Sequence, residues 1–125
     1  MTVLEEQLQS LQKEYPQATM QGLGGNQHLV AIPDIKIPQG WSRSSVTIKF
    51  IVPVGYPVAK PDCFWTDADL RVANGNLPRS TGANPIPGVG GSHLWFSWHL
   101  ASWNPNVDSL LTYVNVIRKR LSETV

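Results

Sequence analysis

Three side chains hold most of the chemistry this chain could offer: Cys63, Ser97 and His99. Cys63 is the only thiol among 125 residues, so any thioester chemistry would have to run through it. The thiolate is the nucleophilic form, and a thioester stays reactive enough to pass an acyl group onward. His99 could serve as general base or acid near neutral pH. Ser97 could accept an acyl group with that help, although its oxyester would be a poor donor for onward transfer. The pattern around Cys63 nevertheless favours packing over catalysis. It stands in an apolar run after Pro61, Trp65 two residues on would share its sheet face, and free cysteine commonly behaves as a small buried hydrophobe. His99 reads first as a loop residue hydrogen-bonded to backbone beside Trp98 and Trp103. His28 and His93 read as surface residues. Three scattered histidines with one cysteine give no metal-ligand spacing, so neither a zinc site nor a cofactor is expected. The glycines at 88, 90 and 91 lack the Gly-Lys-Ser/Thr ending of a phosphate loop.

The elements that must position these residues follow from periodicity. Thr2 with Glu5 three residues on reads as a capping box. Leu4, Leu8 and Leu11 follow at helical spacing, which predicts a helix over residues 3–15, ended by Pro16. A turn at residues 22–25 separates short strands near 18–21 and 28–32. Val46, Ile48, Phe50 and Val52 alternate with Thr47, Lys49 and Ile51, a half-buried strand. A fourth strand is expected at 63–65, then one long Gly/Pro-rich loop over 66–92. Asp108 is positioned to cap a final helix with Leu110, Leu111, Val114, Ile117 and Leu121 on one face and Arg118, Lys119 and Arg120 in its last turns. Strands grouped between helices predict an α+β fold: helix, four-stranded antiparallel meander, long loop, helix.

Length and composition predict a single domain spanning 1–125. Charged residues are 15% and the net charge is +1, which argues against nucleic acid or an anionic membrane surface as partner. No apolar run reaches membrane-spanning length, and the polar stretch 2–12 is not a secretory signal. One cysteine excludes an internal disulfide and fits a reducing compartment, so a cytoplasmic location is expected.

Pro53, Tyr56-Pro57 and Lys60-Pro61 resemble the segment between the third and fourth strands of ubiquitin-conjugating enzymes, where a Pro-x-x-Tyr-Pro-x-x-Pro-Pro stretch joins two strands; Lys60 stands where the first paired proline would be. Trp103-Asn104-Pro105 and the helix after it resemble the family's Trp-x-Pro and following helix. Together the matches cover roughly 45–121. The cluster Trp95-Phe96-Ser97-Trp98-His99 with Trp103 is similar to the divergent bacterial branch, prokaryotic UBC-like family E. The resemblance implies a ubiquitin-conjugating (UBC-like) fold, here trimmed at the C-terminus. It also implies partners: a ubiquitin-like protein, an activating enzyme and a JAB-type isopeptidase.

Aligning on Trp103 puts the family's catalytic cysteine at about Trp95, where this chain has none, and the family's His-Pro-Asn has no good counterpart. The expectation is therefore a divergent member of a bacterial ubiquitin-like modification pathway without the usual catalytic cysteine. It would act as a binding or scaffold subunit or through an unorthodox site at Ser97 and His99, with Trp95 and Trp98 as partner anchors. One alternative is an active conjugating enzyme forming a thioester on Cys63. Another is a general peptide- or protein-binding module.

Overall fold

The computed structural model describes residues 1–125. Thr2 Oγ1 accepts from Glu5 N at 3.1 Å and starts α1 (Val3–Glu14), which buries Leu11 fully and lays Leu4 and Leu8 against the core. Six strands follow: β1 (Thr19–Gly24), β2 (Gln27–Lys36), β3 (Ser45–Val52), β4 (Phe64–Asp67), β5 (Thr81–Gly82) and β6 (His93–Phe96). The last element is α2 (Leu110–Leu121). The strands form one antiparallel sheet in the order β1-β2-β3-β4-β6-β5.

Alternation sets the two faces of this sheet. Val30, Ile32, Val46, Ile48, Phe50, Phe64 and Phe96 point to the helices and join Leu11, Tyr113, Val114 and Ile117 in the main core. Their alternates Leu29, Ile51, Trp65 and Trp95 point the other way. They are covered by the 83–91 segment through Ile86 and Val89.

Several expectations are corrected. The sheet has six strands rather than four, because the segment read as one loop contributes β5 and the aromatic stretch just after it forms β6. β2 runs past Ile32 to Lys36, and Pro33 is absorbed by a register irregularity between Ile32 and Ile35 where Asp34 takes φ +56°. β4 begins at Phe64, leaving Cys63 outside it. α2 is capped by Ser109, which exchanges hydrogen bonds with Thr112 in a capping box. Asp108 closes the preceding loop instead, accepting from Asn104 N at 2.8 Å. His28 and His93 are half-buried strand residues rather than surface ones.

Arg120 is the largest fully buried side chain. Its guanidinium lies 6.0, 5.2 and 5.5 Å from the ring centroids of Trp41, Phe96 and Trp98, and it donates to the carbonyls of Arg79, Glu123 and Val125. No carboxylate side chain pairs with it. Aromatic faces and main-chain oxygens surround the guanidinium, while burial, partly opposed by the Glu123 charge, pushes its pKa below the ordinary value. Arg120→Met should keep most of the volume but orphan those carbonyls. The expected loss is about 3 kcal/mol of unfolding free energy in a urea titration.

His93 supplies a pH prediction. An ammonium can only donate, so Lys49 Nζ donates to His93 Nε2 at 3.1 Å and the ring is neutral with its proton on the buried Nδ1. Burial, then the Lys49 charge, lowers its pKa. The unfolded chain therefore takes up a proton below about pH 6.5 that the folded state resists. Stability should fall as pH drops from there towards the lowered folded value. Thermal melts across that range should be flatter for His93→Gln.

Candidate functional site

Two loops run side by side at one end of the sheet. The first is the Tyr-Pro segment leading to β4, with a cis Tyr56-Pro57 bond; the second leads from β6 to α2. Trp103 Nε1 donates to Pro57 O at 2.7 Å, Lys60 Nζ to Leu100 O at 3.0 Å, and Cys63 N to Trp98 O at 2.9 Å. The Tyr56 and Trp103 rings meet at 6.0 Å, so the two motifs singled out in the sequence touch. Gln7 from α1 ties the loops to the helices: its Oε1 accepts from Tyr56 Oη and, at 3.1 Å, from Leu110 N at the start of α2. Burial, then the Asp108 charge, drives the Tyr56 phenol far above its usual range, which keeps it a donor.

Cys63 sits where this seam meets β4. Its backbone is left-handed, φ +60°, a conformation that costs a non-glycine residue about 1–2 kcal/mol. Both of its peptide groups are held. Trp98 O takes the N–H, and Tyr113 Oη on α2 donates to its carbonyl at 2.6 Å. Tyr113 is itself fixed edge-on against Phe50, ring centroids 5.0 Å apart, and burial pushes its phenol well up so that it remains protonated.

Around the thiol stand Asp62 and His99. His99 Nδ1 and Asp62 Oδ1 are 2.6 Å apart, and one donor atom from each of Asp62, Cys63 and His99 lies within 4.8 Å of the others. Cys63 is 8% exposed, whereas the Asp62 and His99 side chains are 55% and 62% exposed. The thiol thus forms the floor of a small polar corner whose walls are open to water. A carboxylate that orients an imidazole near a thiol is a combination that can activate a nucleophile, although no hydrogen bond joins the Cys63 thiol to His99 and the nearest donor atoms lie within 4.8 Å.

The register of β4 and β6 explains why these residues meet. Phe64 pairs with Phe96, so residues just before β4 and just after β6 emerge at the same end of the ladder. Sequence reasoning missed Asp62 and Tyr113. Asp62 was signalled only by standing next to Cys63, and Tyr113 by lying on the buried face of α2.

The remaining expected residues are distributed differently. Cys63 is buried, as the packing reading expects, although it belongs to neither apolar cluster. His99 pairs with a carboxylate rather than with backbone. Ser97 is held by its N–H on Ser80 O at 2.8 Å, and its hydroxyl makes no hydrogen bond to His99. Trp98 is half-buried over Arg120. Trp95, the position aligned with the usual cysteine, lies mid-strand in β6 against the second cluster.

A family model described as prokaryotic E2 family E matches residues 5–124. The chain belongs to that family. No curated protein and no solved structure matches it. Helices at both ends of an antiparallel sheet agree with the E2-like fold that prokaryotic E2 family E implies. No helix of this family E chain is long and apolar enough to cross a membrane.

The geometry around Cys63 generates a direct prediction. Tyr113→Phe removes one of the two bonds holding the strained residue. It should cost roughly 1–3 kcal/mol of stability and speed the alkylation of native Cys63 by iodoacetamide. Alkylation no faster than in the wild type, followed by mass spectrometry, would mean that Trp98 alone holds the loop.

Proposed function

We propose that this family E protein is a conjugating enzyme that carries the terminal acyl group of a ubiquitin-like protein as a thioester on Cys63. The observation that supports this is the Asp62–His99 pair beside the only thiol in the chain. The acyl group would arrive as a thioester on an activating enzyme. His99 takes the Cys63 proton, the Cys63 S–C bond forms, the donor C–S bond breaks, and the proton passes to the departing thiolate. An acceptor amine then attacks the Cys63 thioester; a C–N bond forms, the C–S bond breaks, and the amine's proton returns through His99 to the thiolate. Asp62 keeps the imidazole oriented through its bond to Nδ1. A JAB-type isopeptidase would reverse the product, and a reducing compartment would keep the thiol free.

The second reading is a binding or scaffold subunit that uses no thioester, favoured by the low exposure of Cys63. Incubation with the activating enzyme, ATP and the ubiquitin-like protein, followed by mass spectrometry, separates the two. The enzyme reading expects an adduct that is cleaved by added thiol and absent in Cys63→Ala. In His99→Ala its formation should slow by roughly 10²–10⁴-fold. A complex without any covalent adduct, or an adduct that survives Cys63→Ala, would sink it.

A further inference from the structure

We propose that Asp62, Cys63 and His99 also form a reversible site for one thiophilic divalent cation, best matched by Zn²⁺, and that occupancy shuts off acyl transfer. The blocking effect rests on the reading of Cys63 as acyl carrier; the binding does not. Spacing along the chain conceals this site, because the histidine lies 37 residues from the aspartate. The fold gathers one sulfur, one nitrogen and one oxygen donor within 4.8 Å. In a tetrahedral zinc site, Zn–S of about 2.3 Å and Zn–N or Zn–O of about 2.0–2.2 Å leave the donors roughly 3.3–3.6 Å apart. The carboxylate and imidazole need to move only on the order of 1 Å to meet this geometry, and both are more than half exposed. The Cys63 backbone is fixed through both peptide groups, so only rotation about its side chain is needed to turn the thiol to the ion.

Donor chemistry sets the class of ion. A thiolate with an imidazole selects zinc-like metals over Mg²⁺ and Ca²⁺, which prefer all-oxygen shells. Thiolate plus carboxylate balances the charge of a dication. Three protein donors leave a fourth position for water. Coordination sends the thiol proton to solvent and requires neutral imidazole, so binding should tighten with rising pH. A metal-bound thiolate has its nucleophilic lone pair engaged, and the His99 base is taken up by the same ion.

The test uses the full chain and Co²⁺ as a spectroscopic substitute for Zn²⁺. Titration should produce a sulfur-to-cobalt charge-transfer band that saturates at one ion per chain and is displaced by Zn²⁺. Cys63→Ser should abolish the band. Asp62→Asn and His99→Gln, at exposed side chains where folding is not at stake, should each weaken binding at least about tenfold. No charge-transfer band in the wild-type protein, or affinity unchanged in both exposed-site variants, would overturn the site. Saturating Zn²⁺ should then stop adduct formation, with recovery on adding a chelator. Zinc binding with adduct formed at an undiminished rate would overturn the regulatory effect. Zinc binding with no adduct even in metal-free protein would refute the acyl-carrier reading and the blocking effect with it, while leaving the cation site intact.

Discussion

Phe64 and Phe96 face one another across the β4–β6 ladder, both fully buried, with rings stacked 4.5 Å apart and 11° from parallel. This pairing fixes the register that brings the residues before β4 alongside those after β6. A slip of one residue by either strand would turn that strand's phenylalanine to the opposite face and shift Asp62 relative to His99. The same Phe96 ring lies under the Arg120 guanidinium, which in turn contacts Trp98. Trp98 supplies the carbonyl that holds Cys63. A run of contacts thus extends from the buried cation on α2, through the sheet, to the one thiol.

The energetics of the site are balanced locally. The left-handed backbone at Cys63 costs about 1–2 kcal/mol. Two hydrogen bonds of roughly 0.5–1.5 kcal/mol each offset it. Strain of this kind persists only where the surroundings over-determine the conformation, and here the restraints come from separate elements: the post-β6 loop and α2. Gln7 adds a third attachment by joining α1 to both the Tyr-Pro loop and the first turn of α2. Either helix can therefore influence the loop that presents the thiol.

What could be read from the sequence was what local periodicity encodes. α1 with its Thr2 cap, the alternating β3 and the apolar face of α2 all repeat within a few residues and were placed closely. α2's cap was misjudged by one position because Asp108 and Ser109 are both good cap residues, and the hydrogen bond to Asn104 draws Asp108 away. β5 has only two residues and lies in a Gly/Pro-rich stretch, too short for any period to register. β6 does alternate, but its aromatic residues invited a functional reading before a structural one. The site was illegible for a different reason. It depends on tertiary contacts, and nothing in the order Pro-Asp-Cys-Phe announces a left-handed residue, since neither glycine nor asparagine occupies the position.

Position 63 is one where glycine would relieve the backbone strain outright and asparagine would tolerate it better than cysteine does. For the backbone alone, then, cysteine is a poor occupant. In a lineage where nothing selects for a thiol at position 63, glycine would trade the relief of a left-handed backbone against the packing of a buried side chain.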